Sequence, residues 1–338
     1  MRSINITSLN NTELLYVPTV LDYFELMKPR VMSLVVFTTI VGMYLAPINI
    51  HPVLCIFSIL AIALGAGSAG AINQWIDQDI DSIMIRTKTR PIPSGRVDPA
   101  EAITFSFVVA LISIIMLGLA SNWMAASLLL FTIFFYTVVY SVFLKRRTPQ
   151  NIVIGGAAGA FPPIIGWVAM TESINLLPII LFIIIFLWTP PHFWSLALVK
   201  TEDYKKANIP MMPNVVGESS TKKQILFYSF LLLISSLSPF ILGLTGYIYF
   251  FGSFTMSLGF CFLSIGLIIF PNRKLEIPLF VYSIFYLFGI FVFLVIDFSS
   301  SLGLILNPCF SKPNCLTTLD FPLPAPPAKN ITLSLIHI

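Results

Sequence analysis

A chain of 338 residues with 57% hydrophobic content, 30 Phe and only 10% charged residues is too apolar for a soluble domain of its size. Its mean hydropathy of +0.91 and its repeated apolar runs of about 20 residues make it a polytopic membrane protein. The net charge of +4 does not make it a nucleic-acid binder, because the bases sit in short loops between apolar runs. The four Cys (Cys55, Cys261, Cys309 and Cys315) lack metal-ligand spacing, and the first two lie inside apolar runs as packing residues.

Residues 1 to 20 carry one base, Arg2, and neither the apolar run of a signal peptide nor the Arg-rich pattern of a transit peptide. A bacterial plasma membrane is the expected location, with the mitochondrial inner membrane as the alternative. Residues 14 to 30 read as an amphipathic approach to the bilayer that ends at Lys28, Pro29 and Arg30. Apolar runs then predict spans at 31–47, 53–76, 101–120, 123–144, 151–170, 175–199, 224–244, 249–270 and 277–297. Gly65, Gly67, Ser68 and Gly70 predict close helix packing at the end of the second span.

The expectation is an all-α fold, a domain of nine transmembrane helices over 31–298 around a central cavity, behind an N-terminal cytoplasmic segment of 1–30. From 299 a tail follows, Pro-rich beyond Asn307 and expected to be disordered. Its last residues, Leu333 to Ile338, have the form of a translated sequencing-library adapter, so part of the tail is expected to be out of frame.

Where the 19 Lys and Arg fall sets the expected orientation. Lys28 and Arg30 precede span one; Arg86, Lys88, Arg90 and Arg96 follow span two; Lys145, Arg146 and Arg147 follow span four. Lys200, Lys205, Lys206, Lys222 and Lys223 follow span six, and Arg273 and Lys274 follow span eight. The loops on the other side carry no Lys or Arg. This predicts a cytoplasmic N-terminus and a C-terminus outside.

The stretch from Asn73 to Pro91 stands out because it gathers Asp77, Asp79, Asp81, Arg86, Lys88 and Arg90 in a chain otherwise poor in charge. Asn73, Asp77 and Asp81 recur at i, i+4 and i+8, so a helix puts their oxygens on one face, with Asp79 turned about 160° away from Asp81. Two carboxylates and an amide suit Mg²⁺, which keeps waters and is commonly shared with substrate phosphates. The bases downstream would neutralise the remaining phosphate oxygens, making a diphosphate a good leaving group. An allylic chain ionised in this way needs a dry, aromatic cavity. The plainer alternatives are a solvated helix end for the acids and ordinary topology determinants for the bases.

A second polar loop, from Thr189 to Pro213, follows span six and contains His192, Glu202, Asp203 and Tyr204. Four helices separate it from the first, which puts both at the same end of a bundle. His192 follows Pro190 and Pro191, where it is either a hydrogen-bonded support of a helix kink or a contact to a bound cofactor-like substrate.

The Asn-x-x-x-Asp-x-x-x-Asp pattern at 73, 77 and 81 resembles the first aspartate-rich motif of the intramembrane prenyltransferase superfamily. The stretches Asp22 to Val35, Asp77 to Pro91, Leu144 to Trp167, Thr189 to Trp194 and Asp203 to Pro213 are similar to its protohaem IX farnesyltransferase branch, across about 20 to 297. The resemblance implies transfer of a farnesyl group from farnesyl diphosphate to the 2-vinyl group of haem b, with Mg²⁺ assistance and water addition, giving haem O for terminal oxidases. It implies metal ligation by Asn73, Asp77 and Asp81 and diphosphate contacts from Arg86, Lys88 and Arg90. His192, Asp203, Tyr204, Lys145 and Arg146 fall on the haem side. The implied partners are farnesyl diphosphate, haem b, the lipid bilayer, and haem A synthase or terminal-oxidase assembly factors.

The superfamily's second motif carries two aspartates four apart, whereas this chain offers His192 and Asp203 beside Glu202. That departure puts a second full metal site in doubt and fits a porphyrin acceptor better than a phenol needing deprotonation. A prenyltransferase acting on an aromatic or quinone precursor is the alternative; a cation or small-molecule transporter is more distant, since its acids would sit mid-membrane.

Overall fold

The computed structural model describes residues 17–48, 50–270 and 273–310, with side chains described as far as 301. The helices in chain order are α1 (Val20–Leu26), α2 (Pro29–Tyr44), α3 (Pro52–Ile76), α4 (Gln78–Ile83), α5 (Pro99–Ala120) and α6 (Trp123–Phe134). After α6 come a π-helical continuation (Phe135–Leu144), α7 (Asn151–Ala160), α8 (Pro162–Thr171) and α9 (Leu176–Val199). The short α10 (Thr201–Lys206) and α11 (Met212–Val216) lead to α12 (Glu218–Ile241), α13 (Tyr247–Ile269) and α14 (Glu276–Phe310). Among the described residues eight helices or continuous pairs can cross a membrane, and the bent pair α1–α2 supplies a ninth if taken as one span. The all-α, multi-span expectation is borne out.

Helix starts follow from local chemistry. Pro29, Pro52, Pro99 and Pro162 stand in the first turn of their helices, where no backbone N–H is needed. Asp98 and Asn122 cap α5 and α6 by accepting from Ala100 N and Ala125 N at 2.8 Å each. The expected amphipathic approach contains α1, whose Val20, Leu21 and Phe24 are exposed while Asp22 and Leu26 are buried. α1 and α2 meet at 61°. The break falls at Lys28, which takes a left-handed φ of 55° immediately before a proline that disfavours the right-handed helical region.

In lipid, serine hydroxyls must be satisfied inside the bundle, and Ser58, Ser106 and Ser229 each donate to the carbonyl four residues back. Apolar side chains such as Leu119 and Phe262 face outward instead. A close backbone crossing joins α2 to α8. A Cβ on Gly42 would run into the Pro163 backbone, and one on Gly166 into the Thr39 carbonyl, so both positions require glycine. Phe37 packs on Phe288 with ring centroids 4.8 Å apart, which brings the first span to the last. Gly65 and Gly67 of α3 lie against Leu129 and Met27, the close packing expected there.

α12, α13 and α14 are joined by hydroxyls. Tyr286 Oη lies 2.6 Å from Ser236 Oγ and 3.1 Å from Ser257 Oγ. Buried Asp297 of α14 accepts from the backbone N–H of Gly246 (2.6 Å) and of Tyr249 (3.2 Å) at the start of α13. Of the tail expected from 299, residues up to Phe310 continue α14, and the rest, Cys315 included, lies outside the described residues.

Candidate active site

Asn73, Asp77 and Asp81 lie where α3 passes into α4. The helical ladder continues through them, with Asp77 N bonded to Asn73 O (3.0 Å) and Asp81 N to Asp77 O (2.8 Å). The one-face geometry therefore survives a kink at Asp77, whose φ of −95° and ψ of 9° divide the two helices. All three side chains are buried, at 4%, 0% and 2% exposure.

Each is met by a base from a different segment. Lys145 Nζ donates to Asp77 Oδ2 (2.5 Å), Arg90 to Asp81 Oδ2 (2.6 Å) and Lys28 Nζ to Asn73 Oδ1 (2.5 Å). A lysine only donates, which fixes the Asn73 oxygen toward it and leaves Nδ2 to donate to Asp77 Oδ2 (2.8 Å) and Ser141 Oγ (2.9 Å). The second carboxylate oxygen, Asp77 Oδ1, is buried without a hydrogen-bond partner. An unsatisfied buried acceptor costs about 1–3 kcal/mol, a cost a purely structural cluster avoids.

The donor set is hard oxygen only. Among the described residues no three His, Cys, Asp or Glu converge, so the chain offers no full protein cage. Two carboxylates and an amide, with one carboxylate oxygen free, fit a Mg²⁺ that completes its shell with water and substrate.

The loop that closes over the cluster is pinned at several points. Thr87 Oγ1 donates to Asp81 O (3.1 Å). Arg96 reaches Asp22 (2.6 Å), Glu25 (2.9 Å) and Thr89 O (2.8 Å), tying the loop to α1. Beneath it the last turns of the fourth span are wound as a π-helix, shown by Lys145 N donating to Tyr140 O five residues back (2.9 Å). This departs from the expected plain α-helix. The extra residue per turn puts Ser141, Lys145 and the stacked pair Tyr136–Tyr140 (5.4 Å) on the side of the acids.

Charges in the loops reflect this crowding. Burial first, then the neighbouring Arg90 and Lys145 charges, push the Lys28 ammonium down to about 7. Hydrogen bonds from Arg146 hold Asp79 below the usual carboxylate range. Burial raises the Tyr204 phenol, against the opposing pull of Arg86 and Arg90.

The UbiA prenyltransferase family model matches residues 35–295. The chain belongs to that family. It is 52% identical over 280 residues to Protoheme IX farnesyltransferase 2 of Mesorhizobium japonicum, covering 82% of this chain and 89% of that one. It is 55% identical over 282 residues to Protoheme IX farnesyltransferase of Rhizobium leguminosarum bv. trifolii, with the same coverage. Among solved structures it superposes on a digeranylgeranylglyceryl phosphate synthase with TM-score 0.70 at 19% identity, covering 82% of this chain and 98% of that one. A UbiA homolog from Archaeoglobus fulgidus bound to DMAPP and Mg²⁺ gives TM-score 0.62 at 17% identity, covering 81% and 99%. These two likenesses establish the fold.

In this UbiA-family bundle the sequence-predicted residues separate into two groups. Asn73, Asp77, Asp81, Arg90 and Lys145 are bonded into one cluster, and Tyr204 of α10 lies within electrostatic range of Arg86 and Arg90, so the two polar loops lie toward the same end of the bundle. Asp203 is half-buried beside Tyr204, while Arg86 and Lys88 are exposed at the loop surface. Arg146, expected on the haem side with Lys145, spans both Asp79 oxygens at 2.7 Å and the Ile76 carbonyl at 2.9 Å.

His192 is not bonded to the acid cluster. Its ring is stacked between Trp188 (4.3 Å) and Phe280 (4.7 Å). Nδ1 lies 2.6 Å from Ser283 Oγ, whose own proton goes to Phe280 O. Nδ1 must therefore carry the hydrogen, and Nε2 keeps its lone pair. Ser141, Tyr136 and Tyr140 are the cluster residues that pattern reading left out, while Lys28, a base before a helix-starting proline, reads in sequence chiefly as a topology determinant.

Proposed function

We propose that this chain transfers the farnesyl group of farnesyl diphosphate to the 2-vinyl group of haem b, with addition of water, to give haem O. The observation that carries the diphosphate half is the buried oxygen cluster of Asn73, Asp77 and Asp81, ringed by Lys28, Arg90 and Lys145, with Asp77 Oδ1 unpartnered. Relatives more than half identical and named for protoheme IX farnesylation support the acceptor.

Asn73, Asp77 and Asp81 would hold Mg²⁺, which supplies charge neutralisation as the diphosphate leaves. Arg90, with Arg86 and Lys88 nearby, and Lys145 bind and orient the phosphate oxygens. As the C–O bond of the allylic chain breaks, its electron pair leaves with the diphosphate. The stacked Tyr136 and Tyr140 present aromatic faces to the cation, and the surrounding apolar helices keep water out. The cation takes the vinyl π-electrons, and the carbon left electron-poor beside the porphyrin is captured by water, which loses a proton to become the hydroxyl. The positive-inside pattern supports a cytoplasmic basic end, and with it a cytoplasmic N-terminus, in a membrane read as the bacterial plasma membrane.

The test is expression in a host lacking haem O, followed by haem extraction and chromatography. A farnesylated haem in the intact-chain sample is the expected result; unchanged haem b refutes the assignment of the acceptor.

A further inference from the structure

The three oxygen groups assigned to the metal are already engaged, one base to each, at 2.5–2.6 Å. With Lys28 in its ammonium form, two carboxylates against three bases leave one surplus positive charge around the buried oxygens. A divalent cation entering by itself would enlarge that surplus, which burial penalises. A diphosphate entering by itself would find its bases held by carboxylates. The two together offset each other, and each releases the groups the other needs.

Lys28 is the informative member. Its partner is a neutral amide, so the contact is not a structural ion pair, and a topology base has no reason to turn from water toward a buried side chain. The chain also keeps it in a left-handed conformation before Pro29, an unfavourable backbone state of the kind that persists at functional sites. Gly67 and Gly70 of α3 leave the room in which Met27 and Lys28 lie. Lysine stems are flexible, whereas Asn73, Asp77 and Asp81 ride on a continuous helical ladder. The bases are thus the partners free to move.

Resting on the metal and diphosphate reading above, we infer that Lys28, Lys145 and Arg90 are exchangeable counterions. They hold Asn73, Asp77 and Asp81 until metal and diphosphate arrive, then pass to the phosphate oxygens, so that each ligand strengthens the binding of the other. Lys28 becomes a phosphate-binding residue of the site by this exchange.

The experiment uses the full chain in detergent, with Mn²⁺ as the probe followed by electron paramagnetic resonance, and pyrophosphate as the second ligand after correction for Mn²⁺–pyrophosphate complexes in solution. Pyrophosphate should tighten Mn²⁺ binding about tenfold or more, and Mn²⁺ should tighten pyrophosphate binding by the same factor. Lys28→Met should tighten Mn²⁺ binding in the absence of pyrophosphate by several-fold and shrink the coupling. Lys28→Gln, which keeps a donor for Asn73, should do the same and serves if the Met variant does not fold.

Equal Mn²⁺ affinity of the unmodified chain with and without pyrophosphate overturns the inference without any variant. So does undiminished coupling in either Lys28 variant. Asp77→Asn separates this failure from failure of the metal site itself: it should lose Mn²⁺ under both conditions, and Mn²⁺ binding that survives it would mean that the site reading, not only the exchange, is wrong.

Discussion

Asp77 and Asp297 are both buried, at 0% and 4% exposure, and they are held in contrasting ways. Asp297 lends each carboxylate oxygen to a backbone N–H at the start of α13, and these two partners are fixed dipoles that no ligand can displace. Asp77 uses one oxygen for side chains, Lys145 and Asn73, and leaves the other buried and unpartnered. Backbone satisfaction locks helices together. Satisfaction by a lysine on a flexible stem, with an oxygen to spare, marks a group kept available for something that binds.

The largest expected effect breaks the second arrangement. Asp77→Asn or Asp81→Ala should lower farnesylated haem formation by about 10²–10³-fold or more, while the chain still inserts and remains folded in detergent. Asp297→Leu should do the reverse. It orphans two N–H groups at about 1–3 kcal/mol each, lowering the unfolding midpoint in detergent while leaving Mn²⁺ binding intact.

Gly42→Ala sharpens the comparison, because it perturbs packing with no charge involved. Overfilling the α2–α8 crossing should cost about 1–3 kcal/mol, read in the same unfolding assay. The smallest effect belongs to Arg146→Ala. Its exposed pair with Asp79 is worth under about 1 kcal/mol, and activity should change little. Because Asp79 is held below its ordinary value of 3.8, the pair's contribution is present above that value and fades as pH falls through the lowered one. Loss of that pH-dependent increment in Arg146→Ala is the measurable sign.

Most of the bundle was legible in the sequence because each span is a long apolar run that lipid forces into a helix. The predicted 123–144 and 175–199 coincide with Trp123–Leu144 and Leu176–Val199 nearly residue for residue. The first span was less so: α2 is short, and only the bent pair with α1 reaches spanning length. Periodicity carries no information on such a kink.

At the site, Asn73, Asp77 and Asp81 were legible since they share a helical face within one short stretch. The partners of Lys28 and Lys145 were not, because their contacts to Asn73 and Asp77 cross 45 and 68 residues of chain. The π-helix that aims Ser141 and the tyrosine pair was hidden for another reason, as its sequence reads like any apolar helix. Arg146 shows the limit from the other side: next to Lys145 in sequence, it turns to Asp79 instead.

The most direct test of the central claim, that the buried Asp77 cluster drives diphosphate departure, compares membranes carrying the intact chain with membranes carrying Asp77→Asn. Both are given labelled farnesyl diphosphate, haem b and Mg²⁺, and label in the haem fraction is counted together with released diphosphate. The account predicts both signals for the intact chain and neither for the variant. Equal diphosphate release from the two would contradict it.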